Sequence, residues 1–134
     1  MRMSAVVKNS GDAHEATVQT ESLAKIVAIP GKPGGGSSVN GGELLLLALA
    51  TCYCNDLYRE AARLGIAIDG VEVQVAAEFP GVGLAAKDIC YRAQVSSTAS
   101  AAAIADLLQQ TDAVAEVHNT LRSATAVQLV AGSS

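Results

Sequence analysis

Tryptophan is absent from this 134-residue chain, and one phenylalanine and three tyrosines make up its aromatic complement. A core therefore has to be filled by Leu, Val, Ile and Ala, and half of the residues are hydrophobic. Basic charge is scarce: nine Lys and Arg against thirteen Asp and Glu leave a net charge of −4. An acidic chain with few rings argues against nucleic acid, whose recognition needs clustered Lys and Arg and flat side chains for stacking. Long apolar runs are missing too. The longest, Leu44 to Ala50, falls far short of the roughly 18–20 residues a spanning helix needs, so no membrane partner is expected. Lys8, Asn9, Asp12 and Glu15 interrupt the N-terminal region before the apolar centre of a signal peptide can form. Three cysteines without such a signal point to a reducing, cytoplasmic setting rather than a disulfide framework.

What is present reads as a single domain, 1–134, long enough to bury a core. Strands are predicted over 4–10, 14–20 and 22–29, the first two meeting at the turn-forming Ser10-Gly11-Asp12. Six of the twelve glycines fall in a loop from Pro30 to Gly42. Asn40 and the glycines can cap the helix that follows, and Glu43 lies in its first turn, where the helix dipole favours a carboxylate. That helix is predicted over 42–64, ending at Gly65. Its first half is apolar all round and reads as a buried central helix, while Asp56, Arg59, Glu60 and Arg63 mark a wet side in the second half. The alternation of Val71 to Phe79, a turn at Pro80-Gly81-Val82-Gly83 and a return over Ile89 to Ser97 make a hairpin. Helices over 100–111 and 112–123 follow, and Ala126 to Val130 reads as a closing strand. Strands grouped rather than alternating with helices describe an α+β fold.

Three motifs invite chemical readings that their spacing rejects. The loop Gly31-Lys32-Pro33-Gly34-Gly35-Gly36-Ser37-Ser38 leads to a helix, but a P-loop needs its Lys after the last Gly, and Lys32 stands before it. Gly81-x-Gly83-x-x-Ala86 is followed by a strand, not by the helix of a dinucleotide fingerprint. Cys52-Tyr53-Cys54 lies on a helix, where residues two apart point roughly 200° from one another, so the thiols do not converge on a metal or a disulfide. No cofactor or metal is expected. Cys90, on a half-buried strand, reads as a small core residue. Cys52 alone is either packing or nucleophile. It sits too far along the helix for the dipole to activate it, and the neighbouring Asp56 disfavours the thiolate.

Taken together, Gly41-Gly42-Glu43-Leu44-Leu45-Leu46-Leu47-Ala48-Leu49-Ala50-Thr51-Cys52, then Gly65 and the strand Val71-Glu72-Val73-Gln74-Val75, resemble the OsmC/Ohr superfamily of osmotically inducible and organic hydroperoxide resistance proteins. Ile89 to Ser97, Ala101 to Leu108 and Val117-His118-Asn119-Thr120-Leu121 extend the match over nearly the whole chain. The resemblance implies an intertwined homodimer in which two antiparallel-rich sheets wrap central helices and both chains build each active site. It also implies reduction of organic hydroperoxides by one Cys, oriented by an Arg and a Glu, with a second Cys resolving the sulfenic acid and an external thiol as reductant.

Carried over by position, Cys52 matches the first family cysteine and Glu43 the Glu at the start of the helix. The two lie nine residues apart, about 180° around an ideal helix, so they meet only if Glu43 precedes the helix or acts across the dimer. Two departures mark a divergent member. Ala115 stands where the second cysteine is expected, and no Arg occurs between Arg2 and Arg59. Lys8 and His14 are candidate substitutes, though Lys lacks the bidentate fork of Arg. His118, one helical turn from Ala115, is the candidate basic neighbour of Cys52, against the plainer reading of an exposed or capped helix histidine. The expected function is thiol-dependent peroxide reduction by Cys52, with Glu43 and His118 assisting and an external thiol resolving it. The alternative is a non-catalytic homodimer holding a small hydrophobic ligand in its interface cleft, with room beside Ala48, Ala50 and Ala115.

Overall fold

The computed structural model describes residues 1–132. In order, the elements are β1 (Met3–Ser10), β2 (Ala13–Thr20), β3 (Leu23–Val27), α1 (Gly41–Leu64), β4 (Gly70–Glu78), β5 (Lys87–Ser96), α2 (Ala101–Val114) and α3 (Glu116–Arg122). They fall into two compact units, Met1–Leu44 and Leu45–Ser134. The mixture of helices with antiparallel sheets is the α+β layout expected from the element order.

In the first unit the strands pair in the order β1-β2-β3, all antiparallel. Gly11, at φ +62°, turns the chain between Ser10 and Ala13, where a side chain would be strained. The glycine-rich loop is pinned to this hairpin by one side chain. Asn9 donates from Nδ2 to the Gly36 carbonyl at 2.9 Å and accepts from the Gly36 N–H at 3.1 Å. Gly31 is required for a different reason: a Cβ there would stand 1.9 Å from the Asp12 carbonyl oxygen. These contacts give the glycines structural work and leave the anion-cradle reading of the loop without support. The loop ends in a reciprocal cap: the Glu43 N–H donates to Asn40 Oδ1 at 2.8 Å, and the Asn40 N–H donates to Glu43 Oε1 at 3.0 Å.

The second unit is built on α1 from Leu45 onwards. Tyr53, Leu57 and Ala61 recur every four residues and form the core with Leu107 of α2 and Ala115. Val71, Val73, Tyr91, Ala93 and Val95 of the β4–β5 hairpin pack against that cluster, on the inward positions of strands in register Val71↔Val95 and Val73↔Ala93. Gly65 closes α1 at φ +71°, its N–H bonding to the Ala62 carbonyl at 3.3 Å while Ile66 bonds to that of Ala61 at 2.8 Å. Ser100 caps α2 by accepting from the Ala103 N–H at 3.1 Å. At Ala115 the backbone leaves the helical region (φ −71°, ψ 110°), dividing what would be one helix into α2 and α3.

Three expectations are corrected. The first half of α1 is not buried all round within the chain: Leu47 is 58% exposed and Leu49, at 3%, is the buried member of the run, because the core stripe starts at Tyr53. Cys90 is exposed; with a period of two, Tyr91, Ala93 and Val95 take the inward positions and leave Cys90 outward. Ala126 to Val130 forms no strand, with Val127 and Leu129 fully exposed, since a strand is stable only on an edge that satisfies its backbone groups, and none pairs with it among the described residues.

Candidate thiol site

Cys52, Asp56 and Arg59 follow i, i+4, i+7 spacing on α1, which stacks them along one helix face. The Cys52 thiol donates to Asp56 Oδ2 at 3.5 Å and lies 3.7 Å from Glu116 Oε2. Glu116 is the first residue of α3, aimed at the thiol by the break at Ala115. Arg59 gathers both acids: its Nη1 is 3.1 Å from Asp56 Oδ1 and 3.1 Å from Glu116 Oε1. The guanidinium thus holds one oxygen of each carboxylate and leaves the other facing the sulfur.

The electrostatics follow from that arrangement. Burial pushes the Cys52 thiol above its ordinary value; a backbone hydrogen bond at Val117 opposes this, and Asp56 and Glu116 add to the rise. Burial likewise raises the carboxyl of Asp56, and the adjoining Glu116 raises it further, against the pull of Arg59. Glu116 is held down by its own backbone N–H and by Asp56. Of the two acids, Asp56 is the one that takes a proton more readily. The thiol therefore rests protonated, with a proton acceptor in contact. Its donor atom and those of the two acids lie within 4.8 Å of one another, a spacing that a divalent ion could use; Arg59 already supplies the positive charge that such an ion would bring.

Of the other expected residues, Glu43, Lys8 and His14 belong to the first unit and His118 to the second. Glu43 is spent on the helix cap with Asn40. Lys8 lies on β1, and His14 on β2 accepts at Nδ1 from Asn9 Nδ2 at 2.9 Å. His118 is neither exposed nor capped; it is 4% exposed and sits with ring centroids 4.6 Å from Tyr91 and 5.7 Å from Tyr53. Burial, seconded by Arg122, lowers its pKa, with Asp112 opposing, so it supplies no positive charge. Neither ring nitrogen has a hydrogen-bond partner, and an unpaired buried polar group costs about 1–3 kcal/mol. Around it, Tyr91 donates to Asp112 Oδ1, Arg122 Nη2 reaches the same oxygen at 2.7 Å, and Tyr53 donates to the Leu108 carbonyl at 2.7 Å.

Asp56, Arg59 and Glu116 are the groups that sequence reasoning missed as a site. The helical spacing of the first two from Cys52 was available as a signal. The contact with Glu116 was not, because 64 residues separate it from Cys52.

Comparison with known proteins agrees with this architecture. A family model described as OsmC-like protein matches residues 34–130. None of the curated proteins matches the chain. Among solved structures, an OsmC-like protein from Mycoplasma pneumoniae is similar with a TM-score of 0.63 at 18% identity, covering 90% of this chain and 86% of that one. An organic hydroperoxide resistance protein OsmC from Legionella pneumophila is similar with a TM-score of 0.59 at 15% identity, covering 91% and 90%. An OsmC-like hydroperoxide resistance protein from Jannaschia gives 0.58 at 15% identity, covering 98% and 96%.

Proposed function

The chain belongs to the OsmC-like protein family, and from that premise we propose that it reduces organic hydroperoxides with Cys52 as its reactive thiol. The observation that carries the reading is the Cys52 sulfur in contact with two carboxylates whose other oxygens are gripped by Arg59. Sulfur attacks the distal peroxide oxygen, an S–O bond forms and the O–O bond breaks. The thiol proton passes to the Asp56–Glu116 pair, and a proton from the pair completes the departing alcohol. Sulfur is oxidised to a sulfenic acid while the peroxide is reduced. Arg59 keeps the pair in place and offsets the negative charge of its carboxylates.

Resolution falls to an external thiol. Ala115, fully buried, stands where a resolving cysteine would be expected, and Cys54 points away from Cys52 around the helix. One external thiol condenses with the sulfenic acid to a mixed disulfide and water. A second releases the Cys52 thiol and leaves as the oxidised disulfide. The proposal includes a homodimer, supported by apolar side chains left bare on the first sheet, among them Val7, Leu23 and Ile26. Light scattering is expected to give twice the chain mass.

The decisive experiment exposes the protein to cumene hydroperoxide with a sulfenic-acid trap and weighs it. One adduct on Cys52, missing from Cys52→Ser and accompanied by peroxide loss, is the expected result. No adduct and no peroxide loss would leave the non-catalytic dimer with a small hydrophobic ligand as the function.

A further inference from the structure

A cavity of about 230 Å³ lies in the second unit, lined by Leu49, Ile89, Tyr91, His118, Leu121 and Arg122 and not by Cys52, Asp56, Arg59 or Glu116. Leu49 and His118 form its buried floor, while Ile89 and Leu121 are 41% and 40% exposed at its mouth. We propose that this cavity binds a small uncharged phenol, the ring held by the apolar wall and the hydroxyl hydrogen-bonded to His118.

Size, polarity and hydrogen-bonding capacity point to the same ligand. A dry apolar cavity of about 150 Å³ accepts benzene, so the larger space here admits one substituted ring. The wall is aliphatic, with the Tyr91 ring beside it for an edge contact. Its polar groups are already committed, with one exception. Arg122 is occupied by Asp112 Oδ1 at 2.7 Å and Asn119 Oδ1 at 3.1 Å, and the Tyr91 hydroxyl by Asp112. His118 has two buried ring nitrogens without a partner, and buried polar groups are rarely left so. An imidazole kept neutral by burial has one nitrogen free to accept, and a phenol is a stronger donor than an aliphatic alcohol. Arg122 already has Asp112 as its ion-pair partner and the imidazole is neutral, so the cavity offers an anion no unpaired positive charge and a neutral ring is favoured. The site needs no reaction at Cys52, and its failure is separable from that of the peroxidase reading.

The test is an NMR titration of the full chain, ¹⁵N-labelled at its two histidines, with phenol, toluene and benzoate, in both the native protein and Cys52→Ser. Phenol is expected to saturate and to move the ring nitrogens of His118 while His14 stays still, equally in both proteins. Toluene should bind about tenfold more weakly, the difference one hydrogen bond makes, and benzoate not at all. His118→Leu should reduce phenol to the level of toluene. Leu121→Trp, placed at the exposed mouth, should block both ligands without disturbing the floor, and it keeps the test valid if His118→Leu fails to fold. Equal binding of phenol and toluene, an unmoved His118 signal, or full binding in Leu121→Trp would overturn the proposal.

Discussion

A cysteine becomes a nucleophile through its surroundings, and those of Cys52 are acidic as well as basic. Arg59 is near, but it acts on the sulfur through Asp56 and Glu116 rather than directly. The thiol is therefore held in its protonated form and handed a base. Alkylation of Cys52 by iodoacetamide, in a Cys54→Ser, Cys90→Ser background, should accelerate only above the ordinary thiol value of about 8.5. Asp56→Asn removes a negative neighbour and should move that profile towards lower pH, since only burial and Glu116 then oppose ionisation. The same substitution should slow peroxide reduction near neutrality, because the proton acceptor is lost. A profile unchanged by Asp56→Asn would show that the carboxylate is not coupled to the sulfur. Part of this chemistry was legible residue by residue: Asp56 was recognised as hostile to the thiolate. Arg59 was assigned to a solvated helix face, because helical spacing tells which residues share a stripe but not what faces that stripe.

At the scale of elements, most boundaries follow from local rules. The Asn40–Glu43 cap and the Gly65 stop are short-range hydrogen-bonding patterns and fall where composition places them. The break between α2 and α3 at Ala115 has no Pro or Gly at the site, yet it orients Glu116. Side chains of α3 close the end of α2, Asn119 donating to the Ala113 carbonyl at 3.0 Å and Arg122 to that of Asp112 at 3.2 Å. The glycine loop provides the sharpest test of element-level packing. Gly31→Ala drives a methyl into the Asp12 carbonyl and should destabilise by about 1–3 kcal/mol or more, the range for overpacking. Gly41→Ala, with open space around its Cβ, should be neutral or slightly stabilising, as alanine is favoured over glycine in a helix. Urea unfolding of the two variants measures both, and equal midpoints would contradict the close approach at Gly31.

For the molecule as a whole, the buried histidine links stability to pH. His118 meets Tyr91 edge-on and Tyr53 at a tilt, with Arg122 from its own helix and Asp112 from α2. Its folded pKa lies below the unfolded value of about 6.5. Below that value the unfolded chain takes up a proton the native protein refuses, so the contribution is full above about pH 6.5 and is lost as pH falls through the folded pKa. Asp112, itself lowered by Tyr91 and Arg122, titrates only in more acidic solution. Thermal midpoints should therefore fall between about pH 7 and pH 5, and His118→Phe should flatten that slope. A slope that survives the substitution would assign the effect to other groups.

Sequence alone determined the element order, the α+β class, the family resemblance and the caps, because these depend on periodicities and hydrogen bonds within a few residues. Only the tertiary structure decided the environment of the reactive sulfur. It brought Glu116 of a C-terminal helix to Cys52 and Arg59, buried His118 against Tyr53 and Tyr91, and turned Cys90 outward. The physical reason is that a pKa and a proton path are set by burial and by charges within a few ångströms, and those neighbours are chosen by packing between elements far apart in the chain.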